Sequence, residues 1–580
     1  MTETQSKICQ NCKQNFTIEP DDFQFYEKIK VPPPTWCPDC RLERRLVFRN
    51  ERSLYRDICD LCKKSIFSLY APEKPFTVYC RECWYGDGWD PLAYGRAYDW
   101  NKSFFAQLRQ HMQVVPRIAL AHYHVNVNCE YTNFIANSKN CYLSYSIVGA
   151  ENTYYSRLVD KSKDIFDSIT VTSSEQGYEL VDSVNIHGSQ FIMRSRDCIS
   201  SSFLFDCVNC QNCFMSSNLR NRQFVLRNKQ YSREEYENLL KKERMNSAMA
   251  LAVLKKEFRE LVGRSLHRYA NLIKCTDSTG DNILNCKDVK DTFEGYDVER
   301  ARFSARLIGP KDIYDVYGCA KSELIYEGNA GGWGGYDVKF FMFADAEQRV
   351  QFADWCHGSS DVFGCVSLRK KQHCILNTQY TKEEYEELVP KIIHHMSEKV
   401  YEDTLGRTYP YGEYFPPELS PFAYNESLAN DFFSRPRGDA GSHGYTWREP
   451  DAVTYHATKN ATEIPDTIEE VSPDIVKEIL ECGACKKAYR IIEPEIQFLR
   501  SHGIALPRAC PECRYRERFS MRHPLKLWRR QCMCDYHIRT NTAKHQQHES
   551  GRCPNEFETS YAPDRKEVVY CEECYQREVV

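Results

Sequence analysis

From about residue 120 the chain runs as short alternating segments rich in Tyr, Phe, Val and Ile, cut by Asn, Asp, Gly and Ser. Aromatic residues mark a period. Tyr142, Tyr154, Phe166, Tyr178, Phe191, Phe203, Phe214 and Phe224 follow at intervals of 12, 12, 12, 13, 12, 11 and 10 residues. The turn before each is often polar, as at Lys139-Asn140, Glu151-Asn152 and Lys163-Asp164. Strands of about eight residues joined by turns of about four, nearly constant in length, are the signature of a β-solenoid. Two such units predict a coil of about 24 residues, the size of a parallel β-helix. Stacked Cys and aromatic side chains are expected inside, with Asn laddering at the corners. This reading is favoured over a twisted antiparallel meander.

The pattern returns after a helical stretch. Ile283, Phe293, Phe303, Tyr314, Ile325, Tyr336, Phe352, Phe363 and Cys374 are spaced mostly by 10 or 11, and Gly331–Gly335 reads as an excursion. Both blocks end alike, at Phe224-Val-Leu-Arg-Asn-Lys-Gln-Tyr231 and Cys374-Ile-Leu-Asn-Thr-Gln-Tyr380. Ser232 with Glu235, and Thr381 with Glu384, predict capping boxes opening a helix after each block. One long helix over 233–263 is expected between the blocks. Before them, the apolar positions Phe104, Phe105, Leu108, Met112 and Val115 predict a leading cap helix.

The ends have a different texture. Cys9-Gln-Asn-Cys12 and Cys37-Pro-Asp-Cys40 are separated by 24 residues, as are Cys482-Gly-Ala-Cys485 and Cys510-Pro-Glu-Cys513. Seventeen residues lie between Cys62 and Cys80, and seventeen between Cys553 and Cys571. Flanking residues repeat as well: Tyr70-Ala-Pro72 answers Tyr561-Ala-Pro563, and Val78-Tyr79-Cys80 answers Val569-Tyr570-Cys571. The ends are two copies of one metal-binding module. Each C-x2-C turn supplies two soft ligands, so Cys9, Cys12, Cys37 and Cys40 predict one tetrahedral Zn²⁺ site, and Cys59, Cys62, Cys80 and Cys83 a second. Cys482, Cys485, Cys510 and Cys513 predict the third. The fourth takes Cys553, Cys571, Cys574 and either Cys532 or Cys534, with His537, His545 and His548 as less favoured substitutes. Four thiolates leave no open position, so about four structural zinc ions are expected.

The run C-x2-C-x3-[FY]-x-I followed by P-x2-C-P-x-C-R resembles zinc-ribbon domains of treble-clef type over residues 9–45 and 482–518. That resemblance implies a helix beginning at the second knuckle. Asn128 to Leu143, Ile375 to Tyr385 and Gly412 to Asn425 extend the match. With them the chain resembles an uncharacterised family of candidate-phyla bacterial proteins, in which duplicated zinc ribbons flank a central repeat region; the resemblance brings no activity with it.

The fold class read from these patterns is mainly β with helices: two parallel β-helix-like blocks between treble-clef/zinc-ribbon modules. The divisions are 1–90, an N-terminal double module; 91–236, the first solenoid with its cap helix; 237–267, a connecting helix; 268–401, the second solenoid; 402–478, a strap rich in Pro and aromatics; and 479–580, the C-terminal double module.

Composition adds limits. The chain has 580 residues and a net charge of −4, so no global field points to nucleic acid or membrane. No apolar run reaches the ~18 residues of a spanning helix, and Met1 to Lys7 does not read as a secretion signal. Twenty-nine cysteines, mostly paired as knuckles, then imply a reducing cytoplasm. Locally, the helices after the knuckles carry Arg41, Arg44, Arg45, Arg49 and Arg52, and Arg514, Arg518 and Arg522. These either balance the anionic thiolate sites or form a phosphate-contacting face.

For the middle, Asp160, Asp164 and Asp167, Asp288 and Asp291, and Asp312 and Asp315 are candidate paired carboxylates for a glycosidase. Turn positions explain Asp equally well. His122 and His124 share a strand face, and Cys207, Cys210 and Cys213 read as a buried thiol ladder before a metal site. The functional expectation is a non-enzymatic binding scaffold contacting nucleic acid, a ribonucleoprotein or protein. A carbohydrate-active enzyme and a self-assembling structural protein are the alternatives.

Overall fold

The computed structural model describes residues 3–449, 456–538, 541, 543–545, 548 and 550–580. Two β-solenoids occupy its middle. The first is a sheet of sixteen strands from His122–Tyr123 to Lys229–Gln230, the second a sheet of eleven from Leu272–Ile273 to Thr378–Gln379. Within both, successive coils pair in parallel, as the blocks predict. The coil is half the expected size. Cys141 pairs with Cys129 on one side and Thr153 on the other, and Lys139 with Val127 and Glu151, so one coil is 12 residues.

The reason lies in the backbone. From Asn128 to Arg227 every third residue has a positive φ, and the same holds from Asn282 to Ala330. Each such residue bends the chain, so a coil closes after four bends. Asn and Asp tolerate this conformation best. They stack at the bends in ladders: Asn128 donates to Asn140, Asn140 to Asn152 and Asn152 to Asp164 at 3.2, 2.9 and 2.7 Å.

So narrow an interior leaves little room for aromatic rings: the first core holds none, and the second holds Phe341, against Gly328 and Gly331. The first core holds Ile135, Ile147, Val159, Val171, Cys141, Cys198, Cys207 and Cys213 among others, so the expectation of inward cysteines holds. Serines fill the remaining interior positions. Ser156 accepts the amide of Ser168 at 3.0 Å and donates to the Tyr154 carbonyl at 2.8 Å; Ser168 does the same for Leu180 and Phe166. This satisfies amides that the bends take out of the strand ladder. The periodic aromatics lie outside instead, where Phe166, Tyr178, Phe191, Phe203 and Phe214 form a separate core with the covering elements.

The second solenoid repeats this plan with one insertion. Its register slips between Cys319 and Ala320, so the expected excursion at Gly331–Gly335 is a bulge. Gly280, at φ +144°, lies so close to the next coil that a Cβ would sit 1.8 Å from the Thr292 carbonyl oxygen.

Helices cover the outer aromatic faces. Phe104–Val114 leads the first solenoid in sequence but packs on the second, where Phe104 meets Phe352 and Phe363. Both capping boxes form, at Ser232 with Glu235 and Thr381 with Glu384. The single helix expected over 233–263 is two, Arg233–Leu240 and Ala248–Arg264. Ser247 caps the second, and Asp466 of the strap bonds the Ser247 hydroxyl and the Met249 amide, which fixes the break. The second helix packs on the first solenoid, where Phe258 meets Phe203. The strap is pinned by aromatics, with Tyr414 donating to the Phe341 carbonyl at 3.1 Å. Its residues 450–455 lie outside those described. Among the described residues no helix is long and apolar enough to cross a membrane.

Candidate metal centres and the arginine faces

Each predicted knuckle is a short hairpin whose cysteines face a helix that begins at the third cysteine. The hairpins are Gln5–Ile8 with Asn15–Ile18, Tyr55–Ile58 with Ser65–Ser68, Leu480–Glu481 with Ala488–Tyr489, and Trp528–Gln531 with Glu556–Thr559. The helices are Pro38–Val47, Arg81–Tyr85, Pro511–Ser520 and Glu572–Val579, with Cys37, Cys80, Cys510 and Cys571 as N-caps. This is the helix placement that the treble-clef resemblance implies.

Four groups of four cysteines converge: Cys9, Cys12, Cys37 and Cys40; Cys59, Cys62, Cys80 and Cys83; Cys482, Cys485, Cys510 and Cys513; and Cys532, Cys553, Cys571 and Cys574. Sulfur–sulfur separations are 3.7 Å for Cys12 and Cys37, 3.8 Å for Cys62 and Cys80, 3.6 Å for Cys485 and Cys510, and 3.9 Å for Cys553 and Cys571. Metal–sulfur bonds of ~2.3 Å at the tetrahedral angle span edges of about 3.8 Å, so the thiolates fit a tetrahedral ion. One bond recurs in all four sites: the third cysteine's amide donates to the first cysteine's Sγ at 3.2 Å. Burial raises the Cys59 and Cys482 thiols, but surrounding backbone amides outweigh it and bring them down to about 7 and about 6. Those amides favour the thiolate that a metal requires.

The same bond settles the ambiguous ligand. The amide of Cys571 donates to Cys532, which therefore answers Cys59. Cys553 answers Cys62, so the insertion splits the knuckle between its two cysteines. Cys534 lies beside this site but in another group, with His545, His548 and Cys574. Neither histidine is needed to complete the fourth tetrathiolate.

The arginine faces point inward, which overturns the reading of a phosphate-contacting surface. Arg41, Arg44, Arg45, Arg49, Arg514, Arg518 and Arg522 are all at 6 % exposure or less. Arg41 and Arg45 reach Asp315 of the second solenoid at 2.9 and 3.0 Å. Arg44 lies between Glu327 and Glu413, both at 2.8 Å, with its guanidinium over Trp36. Arg49 bonds Glu51 at 2.7 Å and stacks on Phe134 of one solenoid and Tyr317 of the other. In the C-terminal copy, Arg514 and Arg518 reach Asp167 of the first solenoid, and Arg522 reaches Asp182 and Glu294. Arg52, partly exposed, stacks on Tyr515 and pairs with Glu512 at 2.6 Å, joining the two modules directly. A charge removed from water is stable only when paired and bonded, and these carboxylates supply both.

Four of the seven candidate carboxylates are spent on the same structure. Asp167 and Asp315 receive arginines, Asp312 bonds Arg300 and Lys28, and Asp164 ends the asparagine ladder. His122 is fixed by the Thr132 carbonyl at 2.9 Å, and burial lowers its pKa. Cys207, Cys210 and Cys213 each donate to the carbonyl two residues back at 3.4 Å, the bond that interior serines make.

Sequence reasoning missed Glu51. It is buried between Arg49, Arg157 and Arg306, at the junction of the N-terminal module and both solenoids. No protein-family model matches this chain, and no curated protein does so either.

Proposed function

We propose that the chain is a zinc-stapled binding scaffold without a catalytic centre, acting in a reducing cytoplasm. Zn²⁺ in four closed thiolate sites folds the end modules, and the modules clasp the two solenoids into one body. One observation carries this reading: the clasps cross. The N-terminal module sets Pro38–Val47 on the second solenoid, while its Val78–Tyr79 pairs with Arg117–Ile118 at the mouth of the first. The C-terminal module sets Pro511–Ser520 on the first, while Val568–Tyr570 pairs with Leu266–Arg268 at the mouth of the second. Asp39 and Glu512, equivalent in the two copies, each take a cation from the other: Lys526 at 2.5 Å and Arg52 at 2.6 Å. Such economy of metal and charge suits a body whose purpose is a fixed shape.

The partner that suits its surface is a protein. Seven of the eight arginines expected at phosphates are committed internally. An exposed column of the first solenoid alternates Lys139, Glu151, Lys163 and Glu175, which offers a polyanion little net attraction. Purification without added metal, with metal content, the nucleic-acid to protein absorbance ratio and cross-linked partners recorded on one sample, tests this. Bound zinc, a clean protein spectrum and a discrete cross-linked protein are expected. Nuclease-sensitive nucleic acid carried through purification overturns the protein-partner reading.

A further inference from the structure

The insertion that splits the fourth knuckle is the clearest difference between the two modules, and it brings a second set of ligands to the fourth site. Cys534 Sγ lies 3.4 Å from His545 Nδ1, and Cys574 Sγ lies 3.5 Å from His548 Nε2. All four ligand atoms lie within 4.8 Å of one another. With metal–sulfur bonds of ~2.3 Å and metal–nitrogen bonds of ~2.0–2.1 Å, a tetrahedron has sulfur–nitrogen edges of about 3.5 Å. Both observed separations match. Cys574 belongs to this group and also to Cys532, Cys553 and Cys571.

We propose that the C-terminal corner holds two divalent ions of the zinc class joined through Cys574 as a bridging thiolate. One ion takes Cys532, Cys553, Cys571 and Cys574. The other takes Cys534, His545, His548 and Cys574.

Three features beyond the ligand atoms favour it. His545 Nε2 lies 2.8 Å from a carboxylate oxygen of Glu578, and both side chains are buried. That contact places the proton on Nε2 and leaves the Nδ1 lone pair turned to Cys534, the arrangement by which a carboxylate orients a metal-binding imidazole. The Tyr536 hydroxyl accepts the His545 amide at 2.9 Å and donates to the Ala543 carbonyl at 3.2 Å, so the His545 backbone is tied to Tyr536. Asn541 donates to Cys534 Sγ at 3.3 Å, a bond that helps fix the sulfur's position.

Charge favours the second ion too. A divalent ion with four thiolates carries a formal −2. Adding a second divalent ion, one further thiolate and two neutral imidazoles brings the pair to −1, within the same buried corner. The equivalent N-terminal site has no insertion, and among the described residues no histidine joins Cys59, Cys62, Cys80 and Cys83, a set for one ion.

The test is metal content of the full chain. Five ions per chain are expected, one more than the four tetrathiolate groups alone would bind. Cys534→Ser and His548→Ala should each bind four, with the circular dichroism of the solenoids unchanged. If one variant fails to fold, the other decides. After exchange into ¹¹³Cd, the two corner ions should give resonances split by coupling through the shared sulfur. Four ions in the wild-type chain, with Cys534→Ser also at four, overturn the second ion. Five ions without ¹¹³Cd–¹¹³Cd coupling overturn the bridge.

Discussion

Asp167 and Asp315 stand at bends of the two solenoids, each at positive φ, and each receives two guanidinium groups from the module at the far end of the chain. Arg41 answers Arg514 and Arg45 answers Arg518 when the modules are aligned on their cysteines. Phe25 and Phe498, also equivalent, stack on Tyr314 and Phe166 at centroid distances of 3.8 and 4.3 Å. The two docking interfaces are therefore copies of each other.

Removing either carboxylate leaves two buried cations without their common partner. Asp167→Ala and Asp315→Ala are each expected to cost about 3–5 kcal/mol. Glu556→Ala, which removes the exposed partner of Arg529, should cost under about 1 kcal/mol. Denaturant midpoints of the three variants check this; equal effects would contradict it. Substituting Arg45 and Arg49 together should destabilise the chain rather than leave the fold intact.

Glu51 gives a dependence on acid. Burial raises its pKa, but Arg157, Arg49 and Arg306 outweigh burial and hold the carboxyl far below the ordinary range. A depressed carboxylate stabilises the fold above its unfolded value, about 4.3, and loses that contribution as pH falls towards the folded value. Glu51→Gln should be less stable than the wild type at pH 7, and the gap should narrow below about pH 4. Urea unfolding of both proteins across pH 7 to 3 measures the gap; a constant difference would contradict the assignment.

The interior serines make a local prediction. Ser156→Ala strands the Ser168 amide, now bonded at 3.0 Å, at a cost of about 1–3 kcal/mol. Hydrogen exchange should speed up at Ser168 and adjoining coils while Ser156→Cys, the interior alternative seen at Cys207, stays closer to wild type. No change at the Ser168 amide in the alanine variant would remove the role given to the hydroxyl.

Chelation should act through the clasps. Withdrawing metal unfolds the knuckles and releases Pro38–Val47 and Pro511–Ser520 from the solenoids. Limited proteolysis should then cut first within these two helices, and small-angle scattering should show an expanded chain. Protease resistance of both helices in metal-free protein would argue against metal-dependent docking.

Much of this was legible in the chain. Metal ligands repeat with spacing and flanks intact, because a tetrahedral site fixes them in sequence. Inward cysteines, laddered asparagines and paired caps were legible for the same reason: each answers a local demand. The coil size was not. Aromatics every 12 residues mark one outer column of a 12-residue coil, yet the same interval suits half of a 24-residue one. Only the positive φ at every third residue distinguishes them, and residues such as Tyr131, Phe134 and Leu143 hide it because their types do not favour it. The arginine faces were misjudged because the partners Asp315 and Asp167 lie hundreds of residues away and look like ordinary turn aspartates.

The crossed clasps also order events in time. The N-terminal module is synthesised first, yet Asp315 and Glu327, which neutralise its arginines, emerge some 270 residues later. The first solenoid waits longer still, because Phe498 and Arg514 arrive near the end. A ribosome that stops early releases a chain with bare aromatic faces and unpaired buried charge, a state prone to aggregation and recognisable to quality control. The docked state is thus reached only once both modules of the same chain exist.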